Sequence, residues 1–166
     1  ILRLIVIDDS SNHAESVSNM LRNAGQPVRT ERAEDDEDLR ELLAQQGWDM
    51  VLSKVTVPHL SPIEALQIIA QTELHIPLIV LLETFDDSAM ADVLEAGARD
   101  VVCLEHPNVL VHTLKREFAD VMKRRRHREC ENLLQEANRR AQSLVDSSRD
   151  AIAYVHEGMY IYANES

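Results

Sequence analysis

The chain has 166 residues, room for one domain of roughly 100–150 residues and a remainder too short to make a second. Apolar side chains make up 45% and charged ones 28%, ordinary globular proportions that exclude a wholly disordered chain. The longest apolar stretch, Ile76 to Leu82, falls far short of the roughly 20 residues a membrane span needs, so no membrane insertion is expected. The formal charge of −12 is unevenly spread: residues 1–122 carry 9 basic and 22 acidic side chains, 123–140 carry 7 and 3, and 141–166 carry 1 and 4. An acidic body repels phosphate backbones, so nucleic acid is not expected as a partner. Cys103 and Cys130 have neither paired nor zinc-type spacing, which fits a reducing compartment and points to the cytoplasm. The chain opens on Ile without a signal-peptide pattern, and its native start is expected upstream.

Leu4 to Ile7 is an apolar run ending at Asp8-Asp9-Ser10, a buried strand followed by a helix start. Ala14, Val17, Met20 and Leu21 give Asn12–Asn23 a helical period, with Gly25 as its stop. Val28 opens a second strand, and Ala33 to Leu43 reads as the second helix. Asp49 to Ser53 is a third strand, closed by Pro58, and Ile63, Leu66 and Ile69-Ala70 mark a third helix. Pro77 to Leu82 is a fourth strand, Ser88 to Ala96 a fourth helix stopped by Gly97, and Val101 to Leu104 a fifth strand before a helix starting near Pro107. Five short apolar runs alternating with amphipathic segments predict an α/β fold, a five-stranded parallel sheet doubly wound with helices on both faces. The crevice of such a sheet lies beyond the C-terminal ends of its strands. Those ends present Asp8, Asp9, Lys54, Leu82, Glu83 and the segment from Cys103 to His106.

The last helix has no Gly or Pro between Asn108 and Leu144. Leu110, Val111, Leu114, Phe118 and Met122 form an expected core-facing stripe. Further on, Leu134, Ala137, Ala141 and Leu144 step by 3, 4 and 3, a heptad seam. The helix is expected to pair with a second copy of the chain from about Val111 to Leu144, with Val111, Leu114, Phe118 and Met122 joining the seam residues in the contact. Ala151–Val155 and Met159–Tyr162, flanking His156-Glu157-Gly158, read as a β-hairpin too small to stand alone.

The acidic pair after the first strand, Pro58 after the third, Ile76-Pro77 before the fourth and Gly97-Ala98-Arg99-Asp100 before the fifth resemble a receiver domain of response regulators over residues 1–122. The resemblance implies the fold of CheY-like receivers, an acidic pair that holds Mg²⁺, and an Asp closing the third strand that takes a phosphoryl group. It further implies a hydroxyl closing the fourth strand, an aromatic on the fifth and a Lys-Pro after it. Carried over, the pair falls on Asp8 and Asp9, while the acceptor, four positions before Pro58, is Lys54. The hydroxyl position is Leu82, followed by Glu83, and Thr84 takes it only if the strand shifts by two. The aromatic position is Val101, and the Lys-Pro falls on His106-Pro107 after a two-residue insertion. An ammonium cannot form an acyl phosphate, and it repels a divalent cation. Lys54 is therefore expected to ion-pair with Asp8 or Asp9.

Residues 144–166, with Asp150-Ala151-Ile152, Gly158 and Tyr162-Ala163-Asn164, are similar to the start of a PAS domain. With residues 123–143 as the connecting helix, this order resembles the N-terminal part of FimX-type cyclic di-GMP signalling proteins. Those carry degenerate GGDEF and EAL domains downstream and regulate type IV pili and twitching motility. The resemblance implies no cofactor for this segment, cyclic di-GMP entering only if such downstream domains are present. Glu64-Ala65-Leu66 sits inside the third helix and reads as a chance match to an EAL signature. The acidic run Glu34–Asp38 reads as a helix start, and Lys123–Arg128 as a solvated helix face rather than a DNA-binding region. No HxxxH-type cluster suggests a metal. The expected function is a non-enzymatic, non-phosphorylatable module that forms a homodimer and offers its receiver surface to a protein partner. The alternative is a phosphorylation-responsive receiver using a non-standard acceptor such as Asp8 or Asp9.

Overall fold

The computed structural model of the chain describes residues 1–147 and the backbone of 153–156 and 159–163. It divides into two compact units, Ile1–Val121 and Met122–Ser166. The first holds β1 (Leu2–Ile7), α1 (Ser11–Asn23), β2 (Val28–Ala33), α2 (Asp36–Ala44), β3 (Met50–Lys54), α3 (Pro62–Gln71), β4 (Leu78–Leu82), α4 (Asp87–Glu95) and β5 (Asp100–Cys103). The next helix, α5 (Pro107–Asp146), begins in this unit and carries most of its residues into the second. Strand order is β2-β1-β3-β4-β5, all pairs parallel.

The apolar runs become strands buried on both sides because successive side chains point to opposite faces. Ile5, Ile7, Val51, Leu78 and Val80 pack with Leu39 and Leu43 of α2, Ala65, Ile68 and Ile69 of α3, and Val93 of α4. Their alternates Leu4, Val6, Met50, Leu52, Ile79 and Leu81 pack with Ala14, Val17 and Leu21 of α1 and Leu110 and Leu114 of α5.

Helix starts follow their caps. Ala33 closes β2 instead of opening the second helix, which begins after Asp35, whose carboxylate accepts the Asp38 N–H at 2.9 Å. The acidic run thus supplies the cap and first turn, where the helix dipole favours negative charge. Ser61 and Glu64 form a reciprocal capping box at α3, with Pro62 as the first helical residue. Glu64 therefore has a structural task, and the Glu64-Ala65-Leu66 tripeptide is explained without an EAL domain.

The buried face of α5 differs from the expected stripe. Leu110 and Leu114 are buried as expected, but the face continues through Thr113, Glu117 and Val121, while Val111, Phe118 and Met122 are only partly covered. A carboxylate in that face is tolerated because Arg99 donates from Nε to Glu117 Oε2 at 2.9 Å, and Arg116 lies 3.6 Å from Oε1. Arg116 also reaches Asp100 Oδ2 at 2.6 Å. On the other side of the helix, the Lys115 ammonium donates to the carbonyl of Ala24, one of the last carbonyls of the α1 turn.

In the second unit β6 (Ala153–His156) pairs antiparallel with β7 (Met159–Ala163). The expected turn at Glu157-Gly158 and the Asp150–Ile152 and Asn164 portions of the PAS resemblance lie outside the described residues.

Candidate functional site

Parallel register brings three strand ends to one edge of the sheet. Ile7 lies beside Ser53, and Lys54 beside Leu81. The residues that follow β1, close β3 and follow β4 are therefore neighbours: Asp8 and Asp9, Lys54, and Glu83. With this strand order the junction of β1 and β3 is the point where the chain's winding reverses, where α/β sheets keep their crevice.

Lys54 is the centre of the cluster. Its Nζ lies 2.8 Å from Glu83 Oε1 and 3.9 Å from Asp9 Oδ1. The lysine side chain is 9% exposed, whereas those of Glu83 and Asp9 are about half exposed. The hydrogen bond to Glu83 raises the ammonium's pKa against the opposing effect of burial. The same bond holds the Glu83 carboxyl below its usual range. The expected pairing with the acidic pair is thus present through Asp9, but the nearer partner is Glu83. Strand geometry is the reason, since Glu83 follows directly on Leu82, one residue past the β4 neighbour of Lys54.

Asp8 is buried, its Oδ1 accepting the Ser10 N–H at 2.8 Å and its Oδ2 lying 3.5 Å from His13 Nδ1. Burial raises its carboxyl above the ordinary value, opposed by the Ser10 bond and the charges of Lys54 and His13. Asp9 is lowered, chiefly by its hydrogen bond with Asp8. The acidic pair is therefore unequal: burial favours the proton on Asp8, and Asp9 gives its proton up more readily. Folding holds the Asp8 proton more tightly than the unfolded chain does. Its stabilising contribution is full below the unfolded value of 3.8 and is lost as pH rises through the raised folded value. Asp8→Asn, which mimics the protonated form, is expected to melt at a higher temperature than the parent near neutral pH. The gain should vanish at about pH 3, where both states are protonated. Thermal melts at the two pH values check this, and a gain unchanged at the lower pH would show that burial of the charge is not its source.

The remaining expected positions sit as follows. Leu82 is the last, buried residue of β4, in register with Cys103, so the strand is not shifted and Thr84 lies beyond it, exposed. His106 is exposed, its backbone N–H donating to Cys103 O at 3.2 Å in the turn that precedes Pro107. The stripe residues Leu134, Ala137, Ala141 and Leu144 are exposed on α5. Sequence reasoning missed His13 and Phe85. His13 is one helical turn into α1, and only that spacing from Asp8 signals it. Phe85 stands 68% exposed in the loop after Glu83.

Chemically the cluster is a fixed positive charge held between carboxylates. A divalent cation takes six or more oxygens and would sit within a few ångström of the Lys54 ammonium, so these residues do not fit one. Among the described residues no three His, Cys, Asp or Glu side chains are grouped to hold a metal ion. No described helix is long and apolar enough to cross a membrane.

A family model described as response regulator receiver domain matches residues 4–115. No curated protein matches the chain. Among solved structures, the beryllium-fluoride-activated receiver domain of DrrB is 28% identical, covering 72% of this chain and 98% of its own, with a TM-score of 0.58. The receiver domain of the Francisella response regulator 1452 is 18% identical, covering 72% and 98%, with a TM-score of 0.62. The receiver domain of a signal transduction histidine kinase from Syntrophus aciditrophicus is 22% identical, covering 73% and 92%, with a TM-score of 0.61. The last two are similar in fold.

Proposed function

The chain belongs to the response regulator receiver family through residues 4–115, and from that premise we propose that it is a non-enzymatic receiver that takes no phosphoryl group and signals through its surfaces. The observation that carries this reading is Lys54 at the close of β3, where the family resemblance calls for a carboxylate, with its ammonium 2.8 Å from Glu83 and 3.9 Å from Asp9. An ammonium offers no oxygen to a phosphoryl group, and at the acceptor position it stands where the charge of a metal ion would be needed. The hydrophobic end of β4 at Leu82 supports the same reading, since a switch that senses a phosphate needs a hydroxyl there. The module works instead as a preset scaffold. A homodimer through the exposed part of α5, using Leu134, Ala137, Ala141 and Leu144, joins two copies. Of the other residues expected on the dimer helix, Leu114 is buried in the receiver core and Val111 and Phe118 pack against it, which leaves only Met122, at the border of the two units, beside the seam. A protein partner docks on the receiver surface near Phe85. The hairpin begins a PAS domain from about Leu144, and the resemblance to FimX-type proteins extends the proposal to a cyclic di-GMP effector downstream.

Titration of labelled protein with Mg²⁺ and beryllofluoride, followed by backbone amide shifts of Asp8, Asp9, Lys54 and Leu82, tests the central claim. No response is expected at concentrations that saturate ordinary receivers. Saturable shifts at these four residues would overturn it and favour phosphorylation on Asp8 or Asp9.

A further inference from the structure

The exposed stripe of α5 extends further toward the N-terminus than its leucines suggest. Cys130, Ala137 and Leu144 are spaced seven residues apart, and all three are exposed on the helix, with Leu134 and Ala141 between them on the same side. Leu134 is 63% and Leu144 73% exposed. Spacing of this kind is a seam that faces a partner helix along its whole length. Taking Leu134 and Ala141 as the first position of each heptad puts Cys130, Ala137 and Leu144 at the fourth. The positions that flank the seam are Arg126, Leu133 and Arg140 on one side and Glu131, Asn138 and Val145 on the other, and the charged pair Arg126 and Glu131 stands five residues apart.

That separation is the one at which flanking residues meet across a parallel, in-register pair, so each Arg126 faces Glu131 of the second copy, twice per dimer. Turning one helix round about Leu133 sets Arg126 against Arg140 instead, two like charges. Within its own helix Glu131 uses Oε1 to meet His127 Nε2 at 3.3 Å, which leaves Oε2 for the arginine. Arg140 is paired in its own helix with Glu136. Charge therefore favours the parallel, same-register arrangement over the antiparallel one centred on Leu133.

We infer that two copies of the segment from Arg126 to Leu144 pair in parallel and in register, with Cys130 on the shared axis facing Cys130 of the second copy. This rests on the reading of α5 as the dimer contact and adds its direction and register. Two thiols at a seam position come within the Cα spacing of a disulfide. The bond forms when a thiol oxidant such as diamide accepts the two electrons and two protons that the thiols release.

The test uses the whole chain with Cys103→Ser, leaving Cys130 as the only thiol, treated with diamide and run without reductant. Conversion to a species of twice 18.8 kDa, reversed by dithiothreitol, is expected. In chains lacking both native thiols, Ala137→Cys should cross-link about as fast as Cys130, and Arg139→Cys, on the outer face, at least about tenfold more slowly. Glu131→Arg should weaken the dimer about fivefold, and adding Arg126→Glu should restore it. If light scattering shows a dimer but Cys130 and Ala137→Cys cross-link no faster than Arg139→Cys, the register falls and the dimer stands. A monomer of 18.8 kDa throughout removes the dimer, and this inference with it.

Discussion

Lys54→Asp is expected to give the protein a stability that depends on Mg²⁺. The substitution places a carboxylate beside Asp8 and Asp9 and takes the cation away from Glu83, all at one sheet edge. Removing one member of a fully buried ion pair costs about 3–5 kcal/mol. Here the lysine is buried but its partners are half exposed, so a loss of about 2 kcal/mol in magnesium-free buffer is the reasonable magnitude. Three neighbouring carboxylates then supply the oxygens a hard cation takes, and Mg²⁺ at tenfold its dissociation constant should return about 1.4 kcal/mol. Urea unfolding with and without MgCl₂ measures both effects. The parent should show no magnesium effect. A variant as stable as the parent without Mg²⁺ would mean that the Lys54 charge does not hold these carboxylates together.

The second large effect lies at the opposite end of the sheet. Glu117 is buried in α5 and is compensated by Arg99 and Arg116. Removing both guanidinium groups, Arg99→Ala with Arg116→Ala, leaves a carboxylate under the helix with no cation. The two arginines are about half exposed, and solvent takes over part of their role. The expected loss is therefore about 2 kcal/mol rather than the 3–5 of a dry pair. In a Glu117→Gln background the same two removals should cost less than about 1 kcal/mol, since no charge is stranded. Urea melts of the four proteins close the cycle. Equal losses in both backgrounds would show that the arginines act by packing rather than by neutralising Glu117. The network matters because it sets which face of α5 meets β5 and the sheet.

The alternation of apolar runs and amphipathic segments was readable because burial on both faces leaves uninterrupted strands such as Leu4–Ile7, and Gly25 and Gly97 end helices wherever they stand. The acidic pair could be placed at the end of the first apolar run, and Lys54 by counting back four from Pro58. What resisted reading were features set by tertiary contact. Ala33 looked helical because its neighbours are good helix starters, yet pairing with Ile7 keeps it in β2. The buried face of α5 was misjudged because a heptad-like count favours Met122 and Phe118 over Glu117, and only Arg99, from the turn before β5, makes a buried Glu affordable. The choice of Glu83 over Asp8 as the main partner of Lys54 likewise depends on β4 lying beside β3.

The strand order has a consequence for how the chain reaches this fold. β1 can pair with β2 once 26 further residues are made, as Leu2 with Val28, but its other edge waits until Met50 arrives opposite Leu4. From there each strand adds beside the one made just before it, β4 on β3 and β5 on β4. During synthesis the open edge of β1, running through Leu4, Ile5, Val6 and Ile7, is thus the first apolar template displayed to the cell. Among the strands that end up paired on both edges, it stays bare for the longest stretch of chain growth. Non-local pairing of this kind slows folding and exposes strand edges to the wrong partner. The window closes only when β3, carrying Lys54 at its end, emerges and docks.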